Sequence, residues 1–432
     1  MTSQFALLKT RRFLPLFIVQ FLGAFNDNLL KTVLVVLIAY GLWDIGDWDP
    51  AVLVAVAAGL FILPFVLFTP LAGNLSDKYD KSGMIRWIKI VEIGIAIAAI
   101  AALFSGSLVF AFVILLCLGA QSSFFSPIKF SILPQHLKEN ELIGGNALVS
   151  TGTYLAILAG TIIGAGIAPL ENGKMIAAVI IVVVALTGYV AARFVPGAPA
   201  PEPDIKISYN IFAKAIGVVR NALNQTGGVV IGILGMAWFY FVAATFHAQF
   251  PNFTSQTLGA DNVVLIAFMV AFSFGVAIGG LLNHKILKAR AHGGLVPVAC
   301  LFMAAFGIDI YFAAKAYPAP SEGLHDLATF VSNIHGVRLL VDTFLQAVAC
   351  GFFVIPLRAI VQNRTREKVR SRVISSSNMM EALFILLASI FATVVLGWGV
   401  SIEGLYLAVS VATLFVGLYL FKIPSLRANY AA

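Results

Sequence analysis

Apolar residues run through this chain in stretches of about twenty, and short polar loops separate them. Crossing the hydrocarbon core of a bilayer takes ~20 apolar residues in a helix, and twelve stretches meet that length. They lie near 13–41, 51–73, 84–104, 107–128, 144–168 and 174–195, then near 228–250, 262–283, 294–316, 330–358, 376–398 and 404–422. The tenth includes an interfacial piece before Gly336. In hydrocarbon each backbone polar group has to be satisfied within its own segment, which favours helix for every stretch. The pattern predicts an all-α membrane protein with twelve transmembrane helices.

The apolar rhythm breaks once, at Pro196-Gly-Ala-Pro199-Ala-Pro201-Glu-Pro203-Asp. So many prolines cannot continue a helix and form a stiff extended linker. Behind it, Ile211, Phe212, Ala215, Ile216 and Val219 alternate with Lys214, Arg220 and Asn221, as in a helix lying on a membrane surface. We therefore expect a six-helix bundle over 1–195, a linker with an amphipathic helix over 196–226, and a second six-helix bundle over 227–432.

The two halves echo each other in their loop chemistry. Ser126-Pro127-Ile128-Lys129 matches Ile355-Pro356-Leu357-Arg358, each ending an apolar segment and leading to an asparagine, Asn146 or Asn378. Gly73-Asn-Leu-Ser-Asp77-Lys78 matches Gly280-Leu-Leu-Asn-His284-Lys285, and Lys81 is answered by Lys288. Pseudo-symmetric halves of this kind build transporters. Gly160-xxx-Gly164 and Gly275-xxx-Gly279 let neighbouring backbones approach; packing explains them, and a gating contribution is the alternative.

Composition agrees: 60% hydrophobic and 11% charged residues exclude an ordinary soluble domain. The formal net charge of +8 gathers on one side of the spans. Lys9, Arg11, Arg12, Lys78, Lys81, Arg86, Lys138, Lys206, Lys214, Arg220, Lys285, Lys288, Arg290 and the run 364–372 share that side. Asp44, Asp47, Asp49, Glu171, Asp261, Glu322, Asp326 and Glu403 occupy the other. The positive-inside rule then places both termini in the cytoplasm. The basic run sets topology and meets lipid headgroups; we expect no nucleic acid partner. Cys117, Cys300 and Cys350 stand singly, the six histidines are scattered, and no catalytic motif or P-loop occurs. We expect neither enzyme activity, metal nor cofactor.

Charges inside the spans are the functional pointers, because each costs at least ~2.5 kcal/mol to insert. Asp27 falls about fourteen residues into the first span, roughly 21 Å along at 1.5 Å per residue. Lys31 follows at i+4 and Asn26 precedes it. One reading is a self-neutralising Asp27–Lys31 pair; the other is a polar stripe of Asn26, Asp27 and Lys31 facing a wet cavity. Lys129 and Arg358 end the fourth and tenth spans. They either snorkel to the interface or act together as a phosphate clamp. Arg338 and Asp342, four apart, form an internal ion pair or a gate. Lys89, Glu92, Asp309 and Glu381 are weaker candidates.

Gly73-Asn-Leu-Ser-Asp77-Lys78-Tyr-Asp-Lys81 resembles the signature of the major facilitator superfamily, which implies that Asp77, Lys78 and Lys81 lock the inward gate. Gln20-Phe-Leu-Gly-Ala-Phe-Asn26-Asp27-Asn28, Phe125-Ser-Pro127-Ile-Lys129 and Gly351-Phe-Phe-Val-Ile-Pro356-Leu-Arg358 resemble blocks of the bacterial lysophospholipid transporters. The segment Ala244–Phe253 is similar to versions fused to an acyltransferase; no such region follows the twelfth span in these 432 residues, so a separate acyltransferase is the expected partner.

The resemblance implies movement of lysophospholipids, chiefly lysophosphatidylethanolamine, from the outer to the inner leaflet of the bacterial inner membrane, for reacylation. It makes Asp27 and Lys129 functional positions. An arginine that the family carries late in the seventh helix is Asn252 here, and Arg358 or Arg338 is the substitute. Lys129 and Arg358 then hold phosphate, Asp27 the ammonium, and Phe124, Phe125, Phe352 and Phe353 the acyl chain. The rivals are a proton-coupled drug or small-solute transporter and a non-transporting anchor for an acyltransferase.

Overall fold

Each apolar stretch forms a helix, and several of the starts are fixed by a polar cap or a proline that answers the free amides of the first turn. The twelve are α1 (Leu14–Ala39), α2 (Pro50–Lys78), α3 (Lys81–Ser105), α4 (Leu108–Ser131), α5 (Glu139–Ile167) and α6 (Gly173–Arg193). They continue as α7 (Gly227–Asn252), α8 (Asn262–Ile286), α9 (Val296–Ala316), α10 (Ile334–Arg364), α11 (Arg370–Gly397) and α12 (Ile402–Leu420). All twelve are long and apolar enough to cross a membrane, which makes this an all-α, multi-pass membrane protein. Asp80 caps α3, Ser107 caps α4, Asn333 caps α10 and Ser401 caps α12.

The computed structural model describes residues 4–201, 203–204, 210–286, 293–318, 323–365 and 370–423. Lys206, Lys288, Arg290, Glu322 and residues 366–369 of the basic run lie outside it, as do the side chains of Asn146, His284 and Lys285.

Two helices run further than the sequence suggests. Pro127 and Pro356 sit inside α4 and α10, which continue to Ser131 and Arg364. A proline inside a buried helix is tolerated where neighbours re-satisfy the freed carbonyl. Lys129 and Arg358 therefore project from helix rather than from its end. The piece expected before Gly336 is a separate short helix, Leu327–Ser332, capped by Asp326.

The chain divides into two units: Met1–Ile45 with Leu60–Ile216, and Gly46–Gly59 with Gly217–Ala432. The same packing recurs in both. In the first unit α1 packs on α5, and α3 on α4 and α6; in the second α7 packs on α11, and α9 on α10 and α12. The small-residue stripes work inside their units. A Cβ on Gly160 would lie 2.4 Å from the carbonyl oxygen of Phe25 in α1, and one on Gly279 would lie 2.1 Å from that of Val348 in α10.

Phe13, Leu16, Ile85, Ile128 and Leu133 centre an apolar core in the first unit. An aromatic cluster of Phe246, Phe250, Phe253, Phe268 and Tyr406 does so in the second. In the surface helix Ile211–Leu223, Phe212 and Ile216 are 69% and 67% exposed.

Candidate functional site

The polar residues of the first unit converge from α1, α3 and α4. Asp27 is buried, and its Oδ2 is hydrogen-bonded to Ser122 Oγ of α4. Gln121, next in α4, donates from Nε2 to Glu92 Oε2 of α3 at 3.3 Å. Lys89 Nζ donates to the same oxygen at 2.6 Å, and both partners of that ion pair are 1% exposed. Gly23 makes room for it: a Cβ there would stand 2.8 Å from Lys89 Nζ. Asn26 turns to α6, donating to the Ile181 carbonyl at 3.3 Å.

Lys31 does not pair with Asp27. Its Nζ donates to Asn28 Oδ1 at 2.9 Å and lies 5.1 Å from the Phe61 ring centroid. Four-residue spacing puts Asp27 and Lys31 on one face, but the flexible lysine reaches Asn28 and an aromatic face instead. Lys129 Nζ lies 5.2 Å from the Phe130 ring centroid. Among the described residues neither ammonium forms an ion pair, and Asp27 is the acidic residue near enough to interact with both. The first unit thus brings Asp27, Lys31 and Lys129 into one electrostatic neighbourhood, while Asn26 turns from it to α6.

At the end of α2, Asp77 and Lys78 are half-buried and Lys81 is buried. The organising residue there is Asp80. Its Oδ1 accepts from Gly83 N at 2.6 Å and Ser82 Oγ at 2.5 Å, and its Oδ2 accepts from Ala198 N at 3.0 Å. Against the cost of burial, these bonds hold the Asp80 carboxyl below its usual range. Lys81 N donates in turn to Ala198 O at 2.9 Å, and Gln135 Nε2 to Pro199 O at 3.0 Å. The proline-rich linker is therefore pinned to the first unit over Ala198 and Pro199. Nearby, Arg12 grips Glu141 with two hydrogen bonds of 2.6 Å. That grip, with a bond from the Lys138 amide, pulls the Glu141 carboxyl down to about 2.

In the second unit Arg358 Nη2 stands 3.6 Å from Glu381 Oε1 and 3.4 Å from Tyr240 Oη, with Ser377 donating to the same carboxyl at 3.4 Å. Asn252, where the resemblance leads us to expect a family arginine, is buried and donates to Gln249 Oε1 at 2.8 Å. Arg338 binds Asp309 of α9 through two hydrogen bonds, and Asp342 is the more distant partner at 3.9 Å. The partner comes from α9 because α9 packs along α10, a neighbourhood that spacing within α10 does not encode.

Sequence reasoning passed over Asp80 and Arg12–Glu141 and ranked Lys89, Glu92, Asp309 and Glu381 low. Asp80 carried a legible signal, an aspartate directly before a helix start. Arg12–Glu141, Arg338–Asp309 and Arg358–Glu381 join separate segments of the chain, and Lys89–Glu92 lies within α3 but is closed by Gln121 of α4. The first unit also holds an open cleft of about 420 Å³ lined by Tyr79, Met84, Trp87, Ile88 and Phe124. Phe124 stacks on Phe68 there, with centroids 5.8 Å apart.

Lysophospholipid transporter LplT of Serratia proteamaculans (strain 568) is 25% identical over 364 residues, covering 84% of this chain and 82% of the relative. The protein of the same name from Salmonella typhi is 25% identical over 358 residues, covering 82% and 80%. Among solved structures, the nucleoside transporter NupG matches with a TM-score of 0.70 at 16% identity, over 96% of this chain and 100% of that one. A D-xylose-proton symporter matches with a TM-score of 0.66 at 12% identity, over 96% and 97%. These two likenesses speak for the fold alone. The sequence profile of the Major Facilitator Superfamily matches residues 16–324. With twelve spans, a recurring six-helix packing and that match over most of its length, the chain belongs to the Major Facilitator Superfamily.

Proposed function

We propose that this chain moves lysophospholipids, such as lysophosphatidylethanolamine, from the outer to the inner leaflet of the bacterial inner membrane by alternating access. One observation carries the reading. Two ammonium groups in the spans, Lys31 and Lys129, rest over aromatic rings without an ion-pair partner among the described residues, near the buried carboxyl group of Asp27. A zwitterionic headgroup complements that set: its phosphate meets the lysines and its ammonium meets Asp27, with Asn26 beside it. The relatives named as lysophospholipid transporters support the choice of lipid over soluble solute. The apolar cleft beside Phe124 suits a single acyl chain.

In the second unit Arg358, 3.6 Å from Glu381, is a phosphate-binding residue in its own right. Asp77, Lys78 and Lys81 gate the cytoplasmic side, and Arg338 with Asp309 and Asp342 gates the other. Both termini lie in the cytoplasm, where a separate acyltransferase takes the flipped lysolipid. Uptake of labelled lysophosphatidylethanolamine by spheroplasts tests the assignment. Lys129→Ala and Asp27→Ala each reduce uptake at least tenfold at equal protein level, a loss of roughly 1.4 kcal/mol or more. Unchanged uptake in both rejects the site. Proton-driven uptake of a soluble solute, with no lysolipid movement, rejects the substrate class.

A further inference from the structure

Ser122 carries one hydroxyl proton and faces two acceptors. Its Oγ meets Asp27 Oδ2 and stands 3.1 Å from Gln121 Oε1, and one hydroxyl cannot donate to both. Gln121 then donates to Glu92, where Lys89 also donates. If Asp27 is ionised it claims the Ser122 proton, and Gln121 Oε1 faces an oxygen with no hydrogen between them. If Asp27 is protonated it donates to Ser122, Ser122 donates to Gln121, and every contact from Asp27 to Glu92 becomes a hydrogen bond running one way.

The surroundings of Asp27 point in the same direction. The residue is buried, and its Oδ1 has no hydrogen-bond partner among the described residues. The charged groups facing it are Lys31 from α1, Lys89 and Glu92 from α3 and Lys129 from α4, and none forms an ion pair with it. Lys31 is held by Asn28, Lys89 by Glu92, and Lys129 lies over Phe130. The helices α5 and α6 bear charge only near their ends. A lone buried carboxylate with one hydrogen bond carries a desolvation cost that this bond does not offset.

We propose that Asp27 holds a proton before substrate arrives and gives it up to solvent when the ammonium group of a zwitterionic lysolipid binds. The inference rests on the lysophospholipid reading above. The carboxylic acid becomes a carboxylate paired with the incoming ammonium, and its proton passes to solvent; because the zwitterion itself brings no net charge, the site becomes one charge more negative. The substrate phosphate stays with the lysines throughout. A lysolipid with the same phosphate and no amine therefore leaves the Asp27 proton in place.

The test uses the purified chain in phosphatidylcholine nanodiscs, weakly buffered at pH 7 with a pH-sensitive dye, and calorimetry to follow binding separately. Lysophosphatidylethanolamine releases about one proton per molecule bound and lysophosphatidylglycerol releases none. Asp27→Asn abolishes the release, while the comparison of two lipids on the unaltered chain needs no variant. If lysophosphatidylethanolamine binds without releasing a proton, or lysophosphatidylglycerol releases as much, the inference is overturned and the lysophospholipid reading stands. If neither lipid binds, that reading falls and takes the inference with it.

Discussion

A buried charge left alone costs far more than its ion pair contributes, and Lys89 and Glu92 are both 1% exposed. Glu92→Gln strands the Lys89 ammonium between α1 and α6, beside Gly23 and Gly188. We expect a loss of about 3–5 kcal/mol, whereas Lys89→Met with Glu92→Leu together recovers most of it. Thermal unfolding of the three variants in detergent measures both.

The Arg12–Glu141 pair has a different character, half-buried and doubly hydrogen-bonded. Because its folded carboxyl titrates below the ordinary value, its stabilisation is complete at neutral pH. It fades as pH falls from about 4.5 towards about 2. The unfolding temperatures of the wild type and Glu141→Gln therefore differ at pH 7 and converge in acid. A gap that persists at pH 2 contradicts the assignment.

Neither pair was readable at full weight in the sequence. Spacing along one helix puts Lys89 three residues before Glu92, but it cannot show Gln121 closing on them from α4. Asp27 and Lys31 show the reverse failure. Their spacing suggests a bond that the lysine makes with Asn28 instead.

At the scale of elements most of the fold was legible, because about twenty consecutive apolar residues leave the backbone few choices in hydrocarbon. The twelve spans fall where hydropathy places them, to within several residues. The misjudged ends have a common cause. Proline reads as a stop signal in water, yet Pro127 and Pro356 lie inside α4 and α10. The Gly160 and Gly279 stripes were visible as spacing, but which helix each one meets was not. A side chain at Gly160 collides with the α1 backbone, so Gly160→Val costs on the order of 1–3 kcal/mol. Gly94, with nothing within 4 Å of an added Cβ, accepts alanine without loss. Equal unfolding temperatures for the two variants contradict the packing described.

The repeat across the whole molecule was legible as loop echoes, and it returns as the same set of helix contacts within each unit. Its limits differ from the linker boundaries, because residues 46–59 belong with the second unit. There Gln249 Nε2 donates to Ala51 O at 3.0 Å. Composition could not show that bond, since it joins residues far apart in the chain. Substrate class is the property least written in the fold, as likenesses to nucleoside and sugar transporters at similar TM-scores show. It rests on two lysines that form no ion pair among the described residues, on the buried Asp27 and on distant relatives. The most direct measurement reconstitutes this chain alone into proteoliposomes and follows fluorescent lysophosphatidylethanolamine from one leaflet to the other. Movement well above that of protein-free vesicles, lost in Lys129→Ala, is the predicted result; movement no faster than in protein-free vesicles contradicts the account.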